Sequence, residues 1–155
     1  MRDISGADAD RMALAVALLR IAVGIVWLAN LSWKLPPDFG RHDPRGLLYS
    51  FHQGARYAVI GPLRDIVSDV LIPHFTIFGS LVFLIELAAG LSLTLGFMTR
   101  AGALIGTAQA TMIMLLVVRA PNEWFWGYAM FLLLNALPLF VPSDTRLSLS
   151  SRLGR

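Results

Sequence analysis

Four long runs of apolar residues limit the folds open to this chain more than any other feature. They cover residues 12–33, 75–98, 101–118 and 124–141. A helix needs about 20 residues to cross the roughly 30 Å hydrocarbon core of a bilayer. Only helices and closed barrels satisfy their backbone groups in lipid, and these runs lack the alternation of barrel strands. They therefore predict four transmembrane helices.

The overall composition also favours a membrane protein. The chain is 56% hydrophobic and 15% charged, whereas a soluble domain averages about 25% charged residues. The net charge of +3 comes without a dense Lys/Arg cluster, so nucleic acid is not an expected partner. The chain contains no cysteine, which excludes disulfides, thiol catalysis and cysteine-ligated metals.

The connections between the runs predict one membrane domain over residues 1–155. The last three runs are joined by short turns, which make consecutive helices antiparallel neighbours. The first two runs are separated by the long loop 34–74. Within it, residues 57–72 place apolar and charged side chains on opposite sides of a helix, as in a helix that lies on a membrane interface. The predicted fold is an all-α, antiparallel bundle of four transmembrane helices with an interfacial amphipathic helix in the first loop.

Four crossings place both termini on the same side of the membrane. Apart from Arg20, the Lys and Arg residues divide equally between the two sides. The short segments on the side of the termini are basic, whereas the charge on the other side lies mainly in the long loop. Because basic residues in short segments set orientation, we expect both termini in the cytoplasm of a bacterial cell and the loop outside the cytoplasmic membrane.

Four polar side chains, one taken from each apolar run, fall at similar depths: Arg20, Glu86, Gln109 and Asn135. Counted at 1.5 Å per residue from the predicted helix ends nearest the termini, they lie about 9–18 Å deep and share one layer. A charged residue at the bilayer centre costs about 2.5–3.5 kcal/mol on insertion scales, so two at overlapping depths are expected to pair. We predict an ion pair between Arg20 and Glu86, with Gln109 and Asn135 completing its hydrogen bonds.

Two interpretations of this layer stay open at the level of sequence. Buried ionic groups can simply fix the register of packed helices. Alternatively, the layer can line a pocket for the polar head group of a quinone or a lipid, since ionisable residues inside a membrane commonly mark functional sites. Lys34, at the outer end of the first run, is interpreted as reaching the head groups, and the alternative is a second polar site formed with Asn30, one turn earlier. No catalytic or metal-binding motif is recognised, and His42, His52 and His74 lie in or beside the long loop.

Short motifs in three parts of the chain resemble the DoxX-like family of small four-helix membrane proteins. The first stretch is LLRIAVGIVWLANLSWKL, the second LIELAAGLSLTLGFMTRAGALIG and the third FVPSDTRLSLSSRL. In the third stretch, Ser150 stands where the family often has an acidic residue. The positions that match the family pattern are Arg20, Gly24 and Lys34 in the first stretch, Glu86, Gly90, Gly96 and Arg100 in the second, and residues 146–149 in the tail.

The resemblance implies a membrane subunit of a quinone-linked, respiratory-type oxidoreductase complex, such as the thiosulfate:quinone oxidoreductases that give the family its name. Such a subunit has no redox centre or intrinsic cofactor of its own, binds quinone or lipid, and works with other membrane subunits. Residue matching nominates Arg20, Lys34 and Glu86 as site residues. The alternative is a non-catalytic scaffold, anchor or assembly factor for a larger membrane complex. In either case an accessory subunit is favoured over an independent enzyme.

Overall fold

The computed structural model describes residues 6–140 and 147–149, and within them the regular secondary structure is entirely helical. The predicted end of the fourth span at Val141 and the tail positions Arg146 and Ser150 lie outside the described residues. A short π-helical segment, Val67–Leu71, continues the third helix. The helices are α1 (Gly6–Asn30), α2 (Leu47–Tyr57), α3 (Gly61–Ile66), α4 (Phe75–Leu95), α5 (Thr99–Val117) and α6 (Phe125–Phe140).

Three of these helices, α1, α4 and α5, are long and apolar enough to cross a membrane by length and composition. The fourth apolar helix, α6, has 16 residues. The all-helical prediction is thus confirmed, and the three long apolar helices indicate a membrane protein.

The long helices differ from the predicted spans mainly at their ends. α1 begins at Gly6 and not at residue 12, with Asp8 in its first turn, where a negative charge favours the helix terminus. α4 ends at Leu95 because the next residue, Gly96, adopts a left-handed conformation with φ of 67°. That conformation terminates many helices and suits glycine.

The loop between α1 and α4 contains more helix than predicted. In place of one helix over 57–72, α2 ends at Tyr57, the chain is extended at Ala58, and α3 begins at Gly61. Pro62 lies in the first turn of α3, where its fixed φ and missing N–H are tolerated. We refer to α2, α3 and the π-helical segment together as the cover, because they pack over one half of the bundle.

The cover is held against α4 and α5 by apolar contacts and a backbone hydrogen bond. The rings of Phe51 and Phe75 lie 5.7 Å apart in an edge-on arrangement, and Leu116 of α5 packs next to Gly54. The backbone N–H of Val59 donates to the carbonyl of Leu115 at 2.8 Å. The cover is therefore an integral part of the hydrophobic core.

α1 and α4 pack antiparallel at very short range around Gly24. A Cβ atom at this position would lie 2.6 Å from the backbone N of Thr94 and 2.9 Å from the carbonyl O of Gly90. Small residues at such a crossing allow two backbones to approach closely in a membrane protein. This contact fixes how far α1 is displaced along α4: Arg20, near the middle of α1, is level with the last turn of α4.

We expect Gly24→Ala to destabilise the bundle by about 1–3 kcal/mol, because the added methyl group meets rigid backbone atoms of α4. Gly61→Ala is the matched control, since no atom lies within 4 Å of a Cβ at that position. The control should keep or slightly raise stability. Unfolding of the purified protein in mixed micelles, followed by tryptophan fluorescence, measures both changes. Equal stability of the two variants would contradict the close α1–α4 contact.

Candidate ligand-binding site

The main polar feature of the interior is an ion pair between Lys34 and Glu86. The Lys34 Nζ atom lies 2.6 Å from both carboxylate oxygens of Glu86. Lys34 is 4% exposed and Glu86 is fully buried. Lys34 lies four residues beyond the end of α1, and its ammonium group also approaches the ring of Trp33 at 4.3 Å. The side chain of Lys34 is thus turned into the protein, and the prediction that it reaches the head groups is wrong.

The predicted ion pair between Arg20 and Glu86 is also wrong. The Arg20 guanidinium donates from Nη1 to the carbonyl O of Leu93 and from Nη2 to that of Leu147, both at 2.8 Å. Leu93 lies seven residues beyond Glu86, which corresponds to about 10 Å along a helix. The physical reason is the displacement of α1 along α4, which brings Arg20 level with the end of α4, whereas the side chain of Lys34, just beyond α1, reaches Glu86.

The other two members of the predicted layer, Gln109 and Asn135, lie at different sites. Gln109 faces Glu86. Asn135 instead accepts a hydrogen bond from Trp27 Nε1 at 2.7 Å and donates to the carbonyl O of Phe131 at 2.8 Å. The predicted single layer is therefore three separate polar sites, and Glu86 and Gln109 both line the cavity described next.

A cavity of about 640 Å³ lies between the long helices and the cover. Apolar and aromatic side chains form most of its wall, including Trp27, Trp33 and Ile113. Polar side chains from α1, the cover, α4, α5 and α6 converge on it. Those used in the argument below are Lys34, Gln53, Glu86, Gln109, Glu123 and Tyr128.

These polar groups have hydrogen-bonding capacity to spare. An ammonium group has three N–H donors, and Lys34 uses two of them on the oxygens of Glu86. The Oε1 atom of Gln53 is buried and has no hydrogen-bond partner among residues 6–140 and 147–149. The Tyr128 hydroxyl donates to the carboxylate of Glu123 at 2.5 Å. The cavity thus offers both a donor and an acceptor to a ligand.

The charge of the cavity wall favours neutral ligands. Among the described lining residues, the charged ones are Lys34, Glu86 and Glu123. The first two neutralise each other, so Glu123 leaves the wall with a net negative charge. Glu123 is exposed, so its repulsion of an anion is partly screened, and what remains of it suits the wall better to an uncharged polar head group than to an anionic one.

Asp38, Arg41 and His42 of the loop form a separate polar group that does not line the cavity. His42 contacts Asp38 through a short side-chain hydrogen bond, which lowers the pKa of the Asp38 carboxyl. Arg41 donates to the hydroxyl of Thr76 at 2.7 Å and lies over the ring of Phe75. In the part of the chain that the structure describes, no group of three or more His, Asp or Glu side chains is arranged to hold a metal ion.

No protein-family model, curated protein or solved structure matches the chain. The resemblance to the DoxX-like family therefore stays a prediction from the quoted residues. Over the residues that the structure describes, the fold is all-helical, with three helices long and apolar enough to cross a membrane and a mostly apolar cavity that has an ion pair in its wall.

Proposed function

We propose that the protein is an integral membrane protein in which α1, α4, α5 and α6 are four antiparallel spans. Each of these helices exposes large apolar side chains that suit lipid better than water. With 16 residues, α6 is about 24 Å long and needs a short extension or local thinning of the bilayer to span it. Both termini face the cytoplasm, and the cover lies toward the outer face of a bacterial cytoplasmic membrane. Examples of the exposed side chains are Ile25, Leu84, Leu104 and Leu133.

We further propose that the cavity binds a lipid-soluble quinone, and that the protein serves as a membrane subunit of a quinone-linked oxidoreductase complex. The observation that carries this proposal is the Lys34–Glu86 ion pair in the wall of a mostly apolar cavity. A charged pair is costly to keep away from water. A site that holds a polar head group within the bilayer gives this pair a use beyond helix register.

The hydrogen-bonding groups fit a quinone in both of its oxidation states. A quinone carbonyl accepts hydrogen bonds, and the third N–H of Lys34 and the amide of Gln109 can supply them. The hydroxyl of the reduced quinol is a donor, for which the buried Oε1 of Gln53 is an acceptor. A quinone ring is also uncharged, so the carboxylate of Glu123 does not repel it.

The size of the cavity supports the same ligand class. Pockets for small organic ligands range from about 300 to 1,000 Å³ and are mostly apolar with a few polar groups. At about 640 Å³, this cavity can hold a substituted quinone ring and the first part of its chain. In this proposal the chain holds the quinone, and a partner subunit supplies the electrons.

The test is quinone binding by the purified protein. We expect a short-chain benzoquinone to quench the fluorescence of Trp27 and Trp33, which line the cavity. Gln109→Leu should weaken binding about three- to tenfold, the value of one neutral hydrogen bond. Thr107→Val is the matched control on the same helix, because its hydroxyl bonds to the carbonyl O of Ala103 and lies outside the cavity.

Two results would contradict this function. The first is an affinity for the benzoquinone that is the same in Gln109→Leu, in Thr107→Val and in the unchanged protein. The second is an organic extract of the native protein that contains phospholipid in place of quinone, together with no binding of added benzoquinone. Either result would favour the alternative of a scaffold or assembly factor, for which the cavity is an incidental lipid site.

A further inference from the structure

A groove of about 330 Å³ lies on the outside of the bundle between α1 and α6. Val26 forms part of one wall, and Trp124 and Gly127 form part of the other. Val26 and Trp124 are exposed, so the groove faces the surroundings of the bundle. In a protein that spans a membrane, this surface faces the lipid chains.

The groove adjoins the internal cavity. Asn30, Glu123, Tyr128 and Phe131 line both of them. The hydrogen bond from the Tyr128 hydroxyl to the Glu123 carboxylate therefore lies at the boundary between the two spaces. The two spaces therefore share part of their walls.

We propose that this groove is the lateral route by which a ligand enters from the bilayer, and that it holds the apolar chain of the ligand whose ring occupies the cavity. The proposal rests on the proposed function and specifies its ligand as an amphiphile with a neutral polar ring and a long apolar chain. A small water-soluble ring compound has no need of such a groove.

The arrangement of polar and apolar groups supports this occupant. The ion pair of Lys34 and Glu86 lies in the cavity wall, whereas Val26 and Trp124, the exposed residues that line the groove alone, are apolar or aromatic. A chain attached to a ring at the ion pair reaches lipid through the groove without passing the cover. The Tyr128–Glu123 hydrogen bond opens as the chain passes, and the two side chains then close around it.

The experiment compares two benzoquinones with the same substituted ring, one with a ten-carbon alkyl chain and one without a chain. Gly127→Leu fills the groove, so we expect it to weaken binding of the long-chain quinone at least about tenfold. Binding of the chainless quinone should change less than about twofold. Ala108→Leu is the control, because Ala108 is an exposed residue of α5 that lines neither space. All variants are measured in the same detergent at the same micelle concentration.

A second variant, Val26→Trp, fills the groove from its opposite wall and should show the same selectivity. Equal affinities of both groove variants and the control for the long-chain quinone would overturn the groove proposal while leaving the cavity intact. Loss of both quinones in both groove variants would also overturn it, since the effect would not depend on the chain. Absence of binding of either quinone to the unchanged protein would instead contradict the proposed function itself.

Discussion

Replacing Lys34 with methionine should destabilise the protein by about 3–5 kcal/mol, because it leaves the carboxylate of Glu86 buried without its counter-ion. The pair has short distances to both carboxylate oxygens, and both residues are almost completely inaccessible. Equilibrium unfolding in mixed micelles measures the loss. Arg11→Met is the control, because Arg11 pairs with Asp8 at 3.9 Å on the exposed start of α1, where an ion pair contributes little.

The double variant Lys34→Met with Glu86→Leu should regain most of the lost stability. Replacement of both partners by apolar groups of similar size removes the unpaired charge and its cost, and such exchanges are often neutral or stabilising. If the double variant is as unstable as Lys34→Met alone, the ion pair is not the reason for the loss.

The same double variant separates the two roles that the sequence leaves open for Glu86. If the pair only fixes helix register, the folded double variant keeps its affinity for quinone. If the pair holds the head group, we expect the folded double variant to lose at least about tenfold in affinity for the benzoquinone used above. We expect the second result, because the double variant removes the third N–H of Lys34, which is proposed to donate to the quinone carbonyl.

The apolar runs predicted the long helices well because bilayer thickness sets a length that composition reveals directly. The partner of Glu86 could not be predicted in the same way. The depth of each polar side chain in the membrane follows from the sequence only if all the helices begin at one plane. In the structure, the close contact of Gly24 with Gly90 and Thr94 displaces α1 along α4, and this displacement is a property of packing between two helices.

Other parts of the site carried signals that the sequence analysis did not use. Leu47, Phe51 and Gly54 are buried on one face of α2 and are spaced three or four residues apart, which is typical of a helix. Asn135 could have been paired with Trp27, because a buried indole N–H requires an acceptor. The residues matched to the DoxX-like pattern included Lys34, but the apolar pattern alone gave it a place at the membrane surface.

Arg20 holds the end of α4 and the C-terminal segment together, so Arg20→Met should destabilise the protein by about 3 kcal/mol or more. Arg20 is 1% exposed, and its hydrogen bonds to the carbonyl oxygens of Leu93 and Leu147 are charge-assisted. Such bonds contribute about 1.5–3 kcal/mol each. Arg100→Met is the control, since Arg100 is an exposed arginine at the start of α5, near the same end of the bundle.

Two readouts distinguish this role from a general loss of packing. Trypsin should cleave the C-terminal tail of Arg20→Met faster than that of Arg100→Met, because the segment at Leu147 has lost its attachment. Arg20→Lys keeps the positive charge but lacks the planar fork that reaches two carbonyl oxygens at once. We therefore expect Arg20→Lys to recover less than half of the lost stability. Full recovery with lysine would show that charge alone matters at this position, and unchanged tail cleavage in Arg20→Met would contradict the attachment.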